Sequence, residues 1–138
     1  MIFRTYENGD YDQIIDLWQA AGIQPTRSDT PAGLASILTR DPDLFFVMED
    51  AGRIIGVVMG RYDGRRAWVN HLAVDPGRQG EGLGSALMDE LEHRLRSLGC
   101  EKVNLLIAPS NGAVQGFYAR LGYHRDDLIF MEKWITEQ

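Results

Sequence analysis

Apolar residues along this chain fall into two arrangements, continuous runs and helical spacing, and the changes between them mark the elements. Ile2 to Tyr6 reads as a short strand. After Asp10, the positions Ile14, Ile15, Leu17 and Trp18 recur on one side of a helix predicted from Tyr11 to Ala21. Asp10 is its expected cap and Gly22 its stop. A polar loop follows from Ile23 to Asp29. Thr30 and Pro31 then read as a cap followed by a first-turn proline, opening a helix through Leu34, Ile37 and Leu38 that ends before Pro42. The apolar runs Asp43–Asp50 and Arg53–Tyr62 flank a turn at Asp50, Ala51 and Gly52, which predicts a hairpin. A second turn at Asp63 and Gly64 leads into a third strand, Ala67–Val74.

In the second half, Leu83, Leu87, Leu91, Leu95 and Leu98 recur at helical spacing, with Asp89, Glu90, Glu92, Arg94 and Arg96 on other faces. Gly99 stops that helix. Lys102–Ala108 reads as a strand. Asn111 is the expected cap of another helix, carrying Val114, Phe117, Tyr118 and Leu121 and ended by Gly122. Tyr123–Asp127 and Leu128–Ile135 read as a final hairpin. A strand, a helix and a strand in succession predict a parallel crossover between Ala67–Val74 and Lys102–Ala108. The remaining strands are expected to be antiparallel. The predicted class is α/β, a mixed and mostly antiparallel sheet flanked by helices.

Composition narrows the function. A chain of 138 residues fits one domain, 1–138, with one core. The net charge of −6 disfavours a nucleic-acid surface, yet phosphates can still bind through main-chain amides, which carry no formal charge. Cys100 is the single cysteine, so neither an internal disulfide nor a cysteine metal cluster is available, and it is expected to be small and buried. His93 and His124 have no metal-ligand spacing around them, and no metal is expected. The first residues carry no apolar signal region and no run is long enough to span a membrane. The expectation is a cytoplasmic protein that binds neither membrane nor nucleic acid.

The stretch Asp75–Met88 concentrates Gly77, Gly80, Gly82 and Gly84 between the end of a strand and the start of a helix. There the free amides and the helix dipole make an anion site, and glycine lets a phosphate approach the main chain. A Walker loop requires Gly-Lys-Ser/Thr, but Gly84 is followed directly by Ser85. A dinucleotide fingerprint requires a third glycine where Ser85 stands, and an acid at the end of the next strand where Ala108 stands. The pattern that remains is Gln79-x-x-Gly82-x-Gly84.

Gln79-Gly80-Glu81-Gly82-Leu83-Gly84 resembles the Q/R-x-x-G-x-G/A signature of the GNAT superfamily of N-acetyltransferases. Asn111–Tyr123 resembles that family's N-x-x-A-x-x-F/L-Y-x-x-x-G-F/Y segment, with Val114 in the alanine position. The order of elements matches over nearly the whole chain, which also resembles small bacterial uncharacterised members of the superfamily.

The resemblance implies acetyl-CoA as cosubstrate, its pyrophosphate on the amides of Gln79, Gly80, Glu81, Gly82, Leu83, Gly84 and Ser85. Its pantetheine arm is expected to pair with the main chain of His71, Leu72, Ala73 and Val74 like an added strand. Asn111 and Phe117 are expected beside the arm, and an amide near Leu72 would stabilise a developing oxyanion. Tyr118 matches the family's acid, a phenol with a pKa of about 10 that protonates the leaving thiolate. The base is open. A strand glutamate found in some members is missing. Asn70, through a water, and His71 stand nearest, with Glu49 and Asp63 behind them. Strict alternation places Trp68, Asn70 and Leu72 on one face and His71 on the other. Arg27 and Asp29 lie in a loop that faces the acceptor in this family. The implied reaction is direct attack of a primary amine on the thioester, the amine belonging to a small molecule, a protein N-terminus or a lysine. The alternative is a catalytically weak module that senses acyl-CoA. A homodimer is compatible with the family.

Overall fold

In the computed structural model, which describes residues 1–137, five strands form one sheet: β1 (Ile2–Thr5), β2 (Phe45–Asp50), β3 (Arg53–Tyr62), β4 (Arg66–Val74) and β5 (Lys102–Leu105). They lie in chain order. Neighbours are antiparallel except β4 and β5, which are parallel as the crossover pattern predicts. The helices are α1 (Tyr11–Ala20), α2 (Pro31–Arg40), α3 (Leu83–Ser97) and a short α4 (Gln115–Arg120). The chain forms two compact units, one ending at Leu106 and one beginning at Ile107.

In the first unit each face of the sheet has its own partner. Val57 and Met59 of β3 and Ala73 of β4 pack with Ile14, Leu17 and Trp18 of α1 and Leu34 of α2. On the opposite face, Gly56 and Gly60 of β3 meet α3. A Cβ at either would lie 2.8 Å from a methyl of Leu87 or Leu91. These glycines are there for close packing. The apolar stripe read from the leucines of α3 is buried at Leu83, Leu87, Leu91 and Leu95, while Leu98 is exposed.

Thr30 caps α2 as expected, accepting from the Gly33 amide at 3.0 Å. Asp10 does not cap α1. Its carboxylate turns back to accept from the Glu7 amide at 2.9 Å and from both terminal nitrogens of Arg4 at 2.8 and 3.0 Å. It closes a 3₁₀ turn at Asn8–Asp10 and is buried there. Cys100 is only half-buried, because it follows the Gly99 helix stop at the surface.

The second unit holds a 3₁₀ turn at Pro109–Val114 and then α4. The final hairpin expected from Tyr123 to Ile135 is not formed. No strand is assigned after β5 among the described residues, and Leu128, Ile129, Met131 and Ile135 are exposed. The segment Arg125-Asp126-Asp127 offers no glycine or asparagine for a tight two-residue turn. Leu128 to Met131 is a continuous apolar run without the alternation that sets strand register.

Candidate active site

Strand β4 changes character halfway along. Met59 pairs with Asn70 and Val57 with Ala73, so Val58 alone stands opposite His71 and Leu72. This is a β-bulge, and His71 takes φ +53° within it, a conformation uncommon for a residue with a Cβ. The bulge overturns the alternation expected from the sequence. His71 turns to the face covered by α1 and α2, the face that Asn70 also occupies by its pairing with Met59. Its ring centroid lies 4.7 Å from that of Trp18, and the Trp18 indole N–H donates to the His71 carbonyl at 3.1 Å.

The His71 ring has a partner that the sequence placed in an acceptor-facing loop but did not link to the histidine. Asp29, 6% exposed, sets its Oδ2 3.0 Å from His71 Nε2. The same oxygen accepts from the Thr26 amide at 2.8 Å and hydroxyl at 3.1 Å, and the Asp29 carbonyl accepts from the Tyr11 hydroxyl at 2.6 Å. Burial pushes the Asp29 carboxyl up, but the bonds from His71 and Thr26 outweigh it and hold it below its usual value. It is therefore ionised near neutral pH. No local pattern links residues 29 and 71; their meeting depends on the bulge.

The other proton acceptors considered from the sequence are engaged. Asn70 Oδ1 accepts from Arg61 Nε at 3.0 Å. Glu49 is paired with Arg4 at 3.1 Å. Asp63 accepts from the amides of Arg65 and Arg66, both at 2.8 Å, and so shapes the β3–β4 turn. A groove of about 510 Å³ opens beside α2 and that turn, lined by Ile37, Arg40, Arg61, Tyr62 and Trp68 among others.

The bulge coincides with a parting of strands. Parallel pairing of β4 with β5 runs from Arg66–Lys102 to Val69–Leu105 and stops. Beyond Val69, the backbone of Leu72, Ala73 and Val74 has β3 on one side and no strand on the other. The side chain of Ala73 belongs to the core, while Leu72 and Val74 are half-buried.

The glycine loop continues from this edge. Asp75 caps a 3₁₀ turn at Pro76–Arg78 by accepting from the Gly77 amide at 2.9 Å, and is held by Arg53 at 3.0 Å. Arg78 grips Glu81 at 2.9 and 3.1 Å and Asp50 at 3.1 Å, which braces the loop. Gly80 and Gly82 have φ of +86° and +74°. A Cβ at either would meet no atom within 4 Å, so the dihedral and not crowding demands glycine. Gly82 opens α3 with no side-chain cap, and the first bond of the helix runs from the Ala86 amide to the Gly82 carbonyl at 3.1 Å. The amides of Leu83, Gly84 and Ser85 precede that bond, and Gln79 enters the loop extended.

In the second unit, Asn111 does not cap α4. It lies inside the 3₁₀ turn with non-helical φ −115°, and Val114 takes the cap position. The proline at 109 starts a turn earlier than the helical spacing suggests, and this turn displaces the cap. Phe117 and Tyr118 both lie on α4. The Tyr118 ring is buried, with centroids 5.0 Å from Phe117 and 5.7 Å from Tyr123. Burial pushes its phenol up to about 12, above the ordinary value assumed from sequence.

Residues 11–123 match the acetyltransferase (GNAT) family. An acetyltransferase of Pectobacterium atrosepticum is 36% identical, the match covering 99% of this chain and 97% of that one. The solved structure of Ard1 from Thermoplasma volcanium has a TM-score of 0.78 and 25% identity, with 88% of this chain and 80% of that one covered. A Mycobacterium tuberculosis protein solved in complex with CoA has a TM-score of 0.69 and 22% identity, over 88% of this chain and 70% of that one.

Proposed function

The chain belongs to the acetyltransferase (GNAT) family and is an acetyl-transferring enzyme, and from that premise we propose that it moves an acetyl group from acetyl-CoA to a primary amine by direct attack on the thioester. One observation carries the reading. β4 loses its β5 partner after Val69, and a few residues later the same chain enters a glycine loop that ends in an uncapped helix. An open strand edge followed by free amides suits a ligand with a peptide-like arm and a pyrophosphate. The family uses acetyl-CoA, and the CoA complex of the Mycobacterium protein supports the same ligand here. The family match runs from residue 11 to residue 123, which supports reading 1–138 as one catalytic domain.

Each part has a task. The amides from Gln79 to Ser85 hold the pyrophosphate, with the positive end of the α3 dipole behind them. The backbone of Leu72, Ala73 and Val74 pairs with the arm; the His71 carbonyl is already committed to Trp18. Acetyl-CoA supplies an activated acetyl group. As the acceptor nitrogen bonds to the acetyl carbon, the C–S bond breaks, and the Leu72 amide faces the oxygen on which charge gathers. His71 takes the proton from the amine, and Tyr118 gives one to the departing sulfur. With its phenol at about 12, Tyr118 is fully protonated near neutral pH and is ready as an acid. Asn70, tied to Arg61, steadies the strand.

The test is release of free thiol from acetyl-CoA in the presence of a panel of primary amines: amino acids, amino sugars, polyamines, and peptides with a free N-terminus or a lysine. Amine-dependent release is expected. Tight binding without release to any amine favours the acyl-CoA sensor. A companion variant, Gly84→Val, locates the phosphates. Gly84 lies within α3, where valine is conformationally allowed, so its branched carbon screens the amides with little backbone strain. Acetyl-CoA binding by calorimetry is expected to be lost while the fold persists; unchanged binding would place the phosphates elsewhere.

A further inference from the structure

Outside the glycine loop, the His71 imidazole is held from several directions. Three elements converge on it. The β4 bulge turns it at positive φ, Trp18 of α1 takes its carbonyl and packs on its ring, and Asp29 of the α1–α2 loop takes its Nε2. A mere staple between loop and sheet does not require this. Asp29 already closes its own turn through the Thr26 amide and hydroxyl, and Tyr11 holds its carbonyl. The turn around Asp29 is thus closed by bonds that do not involve the histidine.

The geometry points to Asp29 as a positioning residue that holds His71 in the Nε2–H tautomer, leaving the Nδ1 lone pair to take the proton from the acceptor amine. This rests on the acetyl-transfer reading above. An ionised carboxylate can only accept hydrogen bonds, so Nε2 must be the donor at 3.0 Å, and in the neutral ring Nδ1 then carries no hydrogen. Nδ1 has no hydrogen-bond partner among the described residues, and the side chain is 19% exposed, so the ring is not sealed from solvent. When the amine's proton moves to Nδ1, the positive charge forms beside the buried carboxylate, and Asp29 itself stays ionised. The acceptor amine would then approach from the α1–α2 face of the sheet, on which the His71 ring lies.

The ring nitrogens of His71 in the full chain report this directly. In ¹⁵N–¹H correlation spectra, neutral His71 is expected as a single Nε2–H tautomer. In Asp29→Ala a mixture of tautomers is expected. A wild-type Nδ1–H ring, or an unchanged tautomer in Asp29→Ala, would overturn the proposal. Kinetics with acetyl-CoA and the amine found active form a second arm. Asp29→Ala and His71→Ala are each expected to lower kcat about 10²-fold, with KM for acetyl-CoA changed less than about twofold. The double variant is expected to lose no more than either alone, because the two act as one unit. Independent, multiplicative losses would overturn the coupling. If His71→Ala turns over as fast as wild type, the proton role of His71 falls while acetyl transfer stands. Should Asp29→Ala fail to fold, the wild-type tautomer and His71→Ala still decide the outcome.

Discussion

Tyr118 stands between the rings of Phe117 and Tyr123, and burial pushes its phenol up to about 12. A higher pKa makes the hydroxyl a weaker donor but keeps it protonated near neutral pH. Its proposed role arises only as the thiolate leaves, so removing the oxygen affects turnover more than binding. Tyr118→Phe keeps the ring and both aromatic contacts. Turnover at saturating acetyl-CoA is expected to fall about 10²–10⁴-fold, with calorimetric affinity and melting temperature little altered. Equal turnover, with chemistry shown to be rate-limiting, would reduce Tyr118 to a packing residue. Asp29 differs from Tyr118 in having no motif to mark it. An aspartate in a polar loop looks ordinary in sequence, and only its burial against an imidazole distinguishes it.

The contact between β3 and α3 sets where the glycine loop ends, because α3 starts directly after Gly82. Gly60 lies at the centre of that contact. A Cβ there would stand 2.8 Å from a Leu91 methyl and 3.3 Å from the Leu44 carbonyl oxygen. Gly60→Val crowds the Leu91 side chain and the Leu44 carbonyl and is expected to cost about 1–3 kcal/mol in urea denaturation. An unaltered midpoint would mean that α3 is free to shift. Strand β4 carries the complementary prediction. With acetyl-CoA bound, the amides of Leu72 to Val74 are expected to gain protection from hydrogen exchange, since their open side would acquire a partner. No gain in protection with ligand bound would remove the strand edge from the binding site.

For the protein as a whole, buried carboxylates tie stability to acid. Burial pushes Asp10 up, but the bonds from Arg4 and the Glu7 amide overcome it, and its pKa lies below the usual value. Asp29 is depressed in the same way by His71 and Thr26. A carboxyl with a lowered folded pKa stabilises the fold above its unfolded value, and that contribution is lost as pH falls through the folded value. Asp10→Asn is therefore expected to be less stable than wild type by about 1–3 kcal/mol near pH 7. The gap should close as the pH drops below about 4. Urea midpoints measured from neutral pH to well below the ordinary carboxylate range check it; a gap that persists unchanged at the acid end would mean that the Asp10 charge contributes nothing.

Periodicity and punctuation determined most of the fold on their own. The two strand runs around Ala51-Gly52, the leucine stripe of α3 and the parallel crossover were legible because each rests on local spacing and a local stop signal. The glycine loop before α3 was legible for the same reason: its glycines adjoin in sequence the first-turn amides of the helix they open. Where a local rule had a competitor, tertiary structure decided. Asp10 was drawn from its helix by Arg4, Asn111 lost its cap position to the turn begun at Pro109, and the last hairpin lacked both turn residues and alternation. The bulge is the sharpest case. Strand alternation assumes one residue per pleat, and an extra residue at His71–Leu72 breaks that count without a glycine or proline to announce it. With that shift come the end of β4–β5 pairing, the turn of His71 towards Trp18 and its meeting with Asp29, a contact between residues 42 apart in sequence. Such a contact depends on where the chain folds back, and that is set by packing of the whole sheet.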